Sequence, residues 1–145
     1  MPHFQTRILS DPTDIELNRL LDLYESAGWW PPTRPDDLAT LSKMIHNSVF
    51  MWVLESESTG IIGMARVLGD GISDVYIQDV TILPEFRRQG LATQLILAIT
   101  DSLTQMDIDF IGLIAEHNTE EFYRHCGFDV IENAYPMRLQ KRNVS

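Results

Sequence analysis

Cysteine and metal-binding patterns are almost absent from this chain of 145 residues. Cys126 is the only cysteine, so the chain has no intrachain disulfide and no multi-cysteine metal site. The four histidines, at positions 3, 46, 117 and 125, lack the spacing of metal ligands. We therefore expect no metal and no redox chemistry.

Basic residues and long apolar runs are also scarce. Eleven Lys and Arg stand against 21 Asp and Glu, for a net charge of -10, which argues against a nucleic-acid partner and favours cationic small molecules. No apolar run approaches the roughly 20 residues that span a bilayer, and the first residues do not resemble a signal peptide. We expect a cytoplasmic protein that binds no membrane.

The chain contains no repeat, low-complexity tract or linker, and 44% of its residues are hydrophobic. We therefore interpret residues 1–145 as one domain. The first half predicts an edge strand in "FQTRILS", an amphipathic helix that ends near Gly28, and a second helix from Pro35 to about Asn47. Three strands then follow as a meander, in "VFMWVLES", "GIIGMARVLGDG" and "SDVYIQDVTILP".

The second half predicts a helix that starts at Gly90 and carries an apolar face as far as Met106. A buried strand, "FIGLIA", and a short helix that ends at Gly127 come next. Two last strands are predicted in "FDVIEN" and "AYPMRLQ". This order of elements indicates an α/β fold with a mixed sheet.

The segment "RRQGLA", residues 87–92, lies between a strand and a helix. A helix N-terminus has unpaired backbone N–H groups and the positive end of the helix dipole, so this segment is suited to bind an anion, most simply a phosphate ester. No Gly-Lys-Ser/Thr follows, and the three-glycine dinucleotide pattern is absent. The alternative is a plain connector with solvated arginines.

These motifs resemble those of the GCN5-related N-acetyltransferase (GNAT) superfamily. Arg87, Gly90 and Ala92 match its Arg/Gln-x-x-Gly-x-Gly/Ala pyrophosphate motif, and the strand "DVTILPEF" precedes them as in the family. The segment "EEFYRHCGF" is similar to the C-terminal family motif, with Tyr123, Gly127 and Phe128 in register. The first half matches more loosely, through segments similar to those of small bacterial and plastid members.

The resemblance implies a mixed, mostly antiparallel central sheet flanked by helices, with a splayed parallel pair formed by "VYIQDVTIL" and "FIGLIA". It implies acetyl-CoA as donor and a primary amine as acceptor. The backbone of Val80, Thr81 and Ile82 would pair with the pantetheine arm. Beside Arg87, the pyrophosphate would then meet the amides of Arg88, Gln89, Gly90, Leu91, Ala92 and Thr93.

Two side chains are candidates for proton transfer. The resemblance places Tyr123 as the general acid that protonates the departing thiolate; the alternative is a tyrosine that packs in the core. Asp79 is a carboxylate in an apolar strand, and such a group is seldom buried without a partner or a purpose. It could bind the substrate ammonium, accept a proton through water, or make a structural hydrogen bond. Glu116 is a weaker candidate base.

Two residues near the last predicted helix have alternative roles. Many relatives contact the CoA arm through an asparagine before this helix, which here would be Asn118. With Glu121 three residues later, Asn118 also makes a good N-cap, and we favour that role. Cys126, four residues after Phe122 on the same helix face, is interpreted as a small core residue.

The loop "GWWPPTRP" carries Trp29 and Trp30, which are costly to leave in water unless they pack or bind a ligand. In GNAT proteins the acceptor enters beside this loop, so the pair could stack on an aromatic amine or contact an ammonium, with Tyr76 in the same wall. The alternative is that one tryptophan fills the core and the other covers the sheet.

The sequence therefore predicts an N-acetyltransferase that transfers acetyl from acetyl-CoA directly to a small, possibly aromatic, primary amine. A protein or peptide N-acetyltransferase and a non-catalytic acyl-CoA-binding module are the alternatives. A homodimer is an open alternative to a monomer.

Overall fold

The computed structural model describes residues 3–31 and 37–141. These residues form two compact units, one that runs to Leu113 and one that starts at Ile114. The predicted helix start at Pro35 lies outside the described residues. No helix in the described ranges is long and apolar enough to cross a membrane.

The first unit carries the sheet and the longer helices. Its strands and helices are, in chain order, β1 (Gln5–Ile8), α1 (Asp14–Ser26), α2 (Asp37–His46), β2 (Phe50–Ser56), β3 (Gly60–Gly69), β4 (Asp74–Ile82), α3 (Leu91–Gln105) and β5 (Phe110–Leu113). A short 3-10 turn, Pro84–Phe86, follows β4. This order is the one that the hydrophobic periodicity predicts.

The five strands form one sheet in the order β1-β2-β3-β4-β5. Neighbouring strands are antiparallel except β4 and β5, which are parallel. The prediction of a mixed, mostly antiparallel sheet flanked by helices is confirmed. The parallel pairing joins Asp74–Ile77 to Phe110–Leu113 only, while β4 continues to Ile82. The second half of β4 therefore keeps a free backbone edge on the β5 side in the described chain.

Two helices pack their apolar faces on this sheet. Helix α1 begins with a capping box in which Thr13 and Glu16 satisfy each other's backbone N–H, and it packs on β3 through residues that include Leu20, Leu23 and Tyr24. Helix α3 buries Leu95, Ile96, Ile99 and Leu103 in contact with β2, β3 and β4. The core is thus built around the central strands β2, β3 and β4.

A β-bulge interrupts β4 near its middle. Gln78 pairs with Arg66 and Thr81 pairs with Met64, so Asp79 and Val80 both stand opposite one residue of β3. Asp79 has φ 54, in the left-handed region that Asp tolerates better than most residues. Because a bulge bends the strand and re-aims side chains, it determines where the Asp79 carboxylate points.

The second unit contains one helix, α4 (Glu120–His125), among its described residues. Gly127, with φ 98, ends it, and the N–H of Phe128 bonds back to the carbonyl of Tyr123, as predicted for a C-terminal glycine cap.

The two strands predicted in "FDVIEN" and "AYPMRLQ" are wrong for this structure, because residues 128–141 form no strand. A strand needs a neighbour with which to share hydrogen bonds. The described part of the second unit offers none, and the side chains of Tyr135, Met137 and Leu139 are exposed.

Candidate active site

Asp79 lies at the centre of a cluster of three side chains. One of its carboxylate oxygens, Oδ2, accepts a hydrogen bond from the hydroxyl of Tyr24 at 2.6 Å and another from Nε of Arg66 at 2.8 Å. Tyr24 comes from α1 and Arg66 from β3, so the cluster joins three elements. Asp79 therefore makes structural hydrogen bonds, which was one of the roles considered for it. Both bonds come from side chains, and none comes from a backbone amide of the described chain.

The three side chains of this cluster are largely buried, which strengthens the electrostatic interactions between them. Tyr24 is 2% exposed, and the side chains of Arg66 and Asp79 are 16% and 21% exposed. Burial, and then the charge and hydrogen bond of Asp79, raise the pKa of Tyr24 well above its ordinary range. Tyr24 is therefore a neutral hydrogen-bond donor at every working pH and does not act as a base.

The two tryptophans pack on the ring of Tyr24 but have different environments. Trp30 is buried, with its ring centroid 5.5 Å from that of Tyr24, and its indole N–H donates to Oδ1 of Asp37 at 2.9 Å. Trp29 lies 6.4 Å from Tyr24 in an edge-to-face arrangement and is 40% exposed. The structure places Trp30 in the core and leaves Trp29 accessible to a ligand.

Tyr76, three residues before Asp79 in β4, forms a second aromatic surface. Its ring lies 5.5 Å from that of Phe110, and Tyr76 is 46% exposed. Gly112 stands opposite Tyr76 in the parallel register, and a Cβ at Gly112 would lie 2.5 Å from the ring of Phe110. The two rings therefore pack over a position where only glycine leaves them room.

The residues around the start of α3 are those of the predicted anion cradle. Gly90 is the N-cap, with φ 76, and no side chain caps the helix. The first turn carries no acidic residue, and the first intrahelical hydrogen bond comes from the N–H of Gln94. The amides of Leu91, Ala92 and Thr93 thus lack an intrahelical acceptor and point out of the helix end. A Cβ at Gly90 would meet no described protein atom within 4 Å, so the space above it is open to a ligand.

The two arginines of this loop have different contacts. Arg87 donates from Nε to the carbonyl of Ile82 at 2.9 Å, which ties the loop to the end of β4. Arg88 is exposed and has φ 64, a conformation that is strained for a non-glycine residue. Arg88 makes no ion pair in the described chain, so its charge is available to an anion.

Tyr123 lies in the second unit, in the last turn of α4. Its ring packs 4.9 Å from that of Phe122 and 5.9 Å from that of Phe128. Burial, with smaller contributions from Cys126 and Glu116, raises the pKa of Tyr123 to about 12. Its phenol therefore stays protonated at neutral pH, as a proton donor must. Cys126 is buried, in agreement with the core interpretation, and Glu116 is exposed.

The preferred role of Asn118 as N-cap is wrong. The N-cap of α4 is Thr119, and its hydroxyl donates to the carbonyl of Glu116 at 2.7 Å and makes no capping bond. Asn118 lies one residue earlier with φ 67 and an exposed side chain. The first hydrogen bond of α4 runs from the N–H of Tyr123 to the carbonyl of Thr119, so the helix starts one residue too late for Asn118 to be its N-cap.

The fold thus brings together some of the predicted site residues and adds others. Asp79, Trp29 and Trp30 meet around Tyr24, a residue of α1 that the sequence analysis did not assign to the site. Arg66 and Phe110 were also missed. A single arginine within the apolar run "GIIGMARVLG" was the available signal for Arg66, because a buried charge needs a partner.

A family model described as "Acetyltransferase (GNAT) domain" matches residues 30–138. This match covers more than half of the chain, including the cradle and the C-terminal motif. The chain belongs to the GNAT acetyltransferase family. The resemblance inferred from the motifs is confirmed, and with it the membership of a family of enzymes.

Curated relatives agree with this GNAT assignment, and a solved structure shares the fold. Histone acetyltransferase TAP1 from Glycine max is 34% identical over 132 residues, which cover 84% of this chain and 55% of that protein. The chloroplastic GCN5-related N-acetyltransferase 2 from Arabidopsis thaliana is 30% identical over 141 residues, covering 84% and 53%. A GNAT family structure from Streptococcus pneumoniae TIGR4 aligns with a TM-score of 0.74 at 23% identity, covering 99% and 100%. The chain spans about half the length of these curated relatives.

The different environments of the two tryptophans predict different effects on stability. Trp30→Ala removes a buried ring and its hydrogen bond to Asp37, so we expect it to lower the free energy of unfolding by about 3–5 kcal/mol. Trp29→Ala is the matched control, and we expect a loss of about 1 kcal/mol. Urea denaturation followed by circular dichroism measures both values. Equal losses would contradict the assignment of Trp30 alone to the core.

Proposed function

We propose that this chain is an acetyl-CoA-dependent N-acetyltransferase that transfers acetyl directly to a small primary amine with an aromatic or other apolar body. The observation that carries the proposal is the course of β4. Its backbone edge is free beyond Ile77, Asp79 lies at that point, and the uncapped start of α3 follows after Arg87. Places for an extended arm, an amine and a pyrophosphate thus follow one another along one segment.

The donor side is built mainly from backbone groups. Val80, Thr81 and Ile82 would pair with the pantetheine arm through the edge that β5 leaves free. The pyrophosphate would accept hydrogen bonds from the amides of residues 88–93, and the nearby charge of Arg88 would support it. Asn118 is assigned to the CoA arm, since its exposed side chain does not cap α4. Backbone recognition explains why Leu91 and Ala92 need no polar side chains.

The acceptor side is aromatic with one carboxylate. Of the aromatic residues predicted to bind the acceptor, Trp29 and Tyr76 remain accessible, and both could cover a flat apolar body. Phe110, packed against Tyr76, extends that surface. Asp79 is the carboxylate that we assign to the amine nitrogen. The net charge of -10 would draw a cationic amine toward the protein.

Acetyl-CoA supplies the acetyl group as a thioester, whose carbonyl carbon forms a bond to the amine nitrogen while its bond to sulfur breaks. Tyr123 is assigned to donate a proton to the departing thiolate. The nitrogen loses one proton as the amide forms, and that proton replaces the one taken from Tyr123, through water. The products are the N-acetyl amine and free CoA thiol.

The name of the Glycine max relative favours a second candidate, a lysine side chain of a protein as acceptor. Such an acceptor needs an open groove for an extended peptide, and its binding would depend less on contact with Trp29. A cytoplasmic location stays a prediction, because the Arabidopsis thaliana relative carries the name chloroplastic.

The acceptor class can be tested by CoA release. We expect turnover with phenethylamine or tryptamine, and a kcat/KM at least about tenfold lower for a lysine-containing basic peptide. Trp29→Ala should raise the amine KM and leave the KM for acetyl-CoA unchanged, because it removes binding on the acceptor side only. Preference for the peptide would support the second candidate. Binding of acetyl-CoA without turnover of any acceptor would leave only a non-catalytic module.

Gly90 tests the cradle. Gly90→Asn and Gly90→Val both add a Cβ above the open helix end, so both should weaken acetyl-CoA binding about tenfold or more in calorimetry. Backbone strain separates the two variants: a left-handed conformation costs about 1–2 kcal/mol for Val and less for Asn. Wild-type affinity in the Asn variant would show that the space above Gly90 receives no phosphate.

Tyr123→Phe tests the general acid. The ring and its packing on Phe122 and Phe128 remain while the hydroxyl is lost, so kcat should fall about 10²–10⁴-fold with acetyl-CoA affinity unchanged. Because the pKa of Tyr123 is raised to about 12, deprotonation of this phenol should cause no loss of rate between pH 7 and pH 10. An unchanged single-turnover rate in the Phe variant would remove Tyr123 from the chemistry.

A further inference from the structure

The two carboxylate oxygens of Asp79 are not equivalent. Both hydrogen bonds, from Tyr24 and from Arg66, go to Oδ2. In the described chain Oδ1 has no hydrogen-bond donor, although a carboxylate oxygen has two lone pairs. The side chain is 21% exposed, so solvent or a ligand can reach it. Asp79 thus has one oxygen fixed by the protein and one available to a donor from outside.

The negative charge of Asp79 is compensated within the cluster. Arg66 is a charged partner at 2.8 Å, and no other ion pair of Asp79 is present among the described residues. The titratable groups in contact with it are Arg66 from β3 and Tyr24 from α1, and Tyr24 is neutral. Together the three side chains present a hydrogen-bond acceptor with a net charge near zero.

This compensation matters for an amine. A lone carboxylate within about 4–6 Å would stabilise the ammonium form and raise the pKa of a bound amine by roughly 1–3 units. An ammonium has no lone pair and cannot attack a thioester. A carboxylate paired with arginine still accepts a hydrogen bond from N–H, but it does not favour the unreactive form.

We propose that Arg66 and Tyr24 are positioning residues: they leave Oδ1 of Asp79 to accept a hydrogen bond from the acceptor nitrogen, and Arg66 cancels the carboxylate charge so that the amine binds neutral. This inference rests on the proposed acetyltransferase function and deepens it. Asp79 then orients the nucleophile, and a separate general base is not required for amines that are partly neutral at the working pH.

The backbone around the cluster keeps this geometry fixed. Arg66 is held by its ladder pairing with Gln78, directly beside the bulge. Asp79 stays in a left-handed conformation, which costs energy and persists where surrounding contacts compensate for it. Tyr24 is buried under both tryptophans, so its hydroxyl cannot turn away without disturbing the core.

The test is the pH dependence of the single-turnover rate of CoA release at saturating amine. A suitable acceptor is phenylalanine amide, a primary amine with an aromatic body whose ammonium form titrates near neutral pH, so that the rate falls at low pH as the amine is protonated. Arg66→Gln keeps an N–H donor and loses the charge, so the carboxylate of Asp79 should then favour the ammonium form of the amine. We therefore expect the acid limb, the low-pH side of the profile where the rate falls, to move to higher pH by roughly 1–3 units. Arg66→Lys is the matched control that keeps the charge, and its limb should stay within about half a unit. Tyr24→Phe should lower the rate and leave the limb in place.

Asp79→Asn gives a second and opposite expectation. The positive charge of Arg66 is then uncompensated and lowers the pKa of a bound amine, so the acid limb should move to lower pH. A role confined to folding would not move the two limbs in opposite directions. Circular dichroism and thermal melts check that each variant is folded, and Asp79→Asn decides the matter if Arg66→Gln does not fold.

Two kinds of failure are distinguishable. The wild type could turn over an amine while Arg66→Gln or Asp79→Asn shows the same acid limb as the wild type. That result would overturn this inference and leave the acetyltransferase function intact. Absence of turnover by the wild type with every amine and peptide would overturn the proposed function, and this inference with it.

Discussion

A carboxylate in the middle of a central strand has to be compensated, and this requirement brings together the residues around Asp79 that we propose to bind the acceptor. Asp79 can lie in β4 because Arg66 from the neighbouring strand and Tyr24 from α1 both bond to it. These bonds hold α1 to the sheet at one point, two residues before the chain leaves that helix. Trp29 and Trp30 follow at once and pack on the same tyrosine, so the hydrogen bond between Tyr24 and Asp79 also locates these two aromatic residues.

The proposed donor side depends on a different property of β4, which is its unequal pairing on the two edges. The strand keeps β3 beside it along nearly its whole length, whereas β5 covers only Asp74–Ile77. Unpaired backbone groups are costly when buried, so an edge of this kind has to meet water or a ligand. The uncapped start of α3 lies shortly after the end of the same strand. The proposed donor and acceptor sites therefore both depend on how one strand is paired.

Sequence patterns predicted well those features that depend on neighbours along the chain. The strand meander, the glycine stops after α1 and α4 and the glycine at the start of α3 follow from local periodicity and backbone preference. Patterns failed where a distant partner decides. Residues 128–141 contain apolar residues that are typical of strands, yet no strand pairing is present there. Asn118 is a residue type that often caps helices, but its backbone is left-handed and the helix starts one residue too late for Asn118 to cap it.

By itself, the sequence determined the order of elements in the first unit, the glycine at the start of α3 and the motifs of the GNAT family, because each element or motif is encoded within about a dozen consecutive residues. It also marked Asp79 as unusual, since a lone carboxylate in an apolar strand is visible without a structure. Only the tertiary structure decided its partners. Tyr24 and Arg66 lie 55 and 13 residues away along the chain, and they reach it through a bulge that pairing between β3 and β4 creates. Contacts of this kind depend on strand register and helix packing, which no short stretch of sequence specifies.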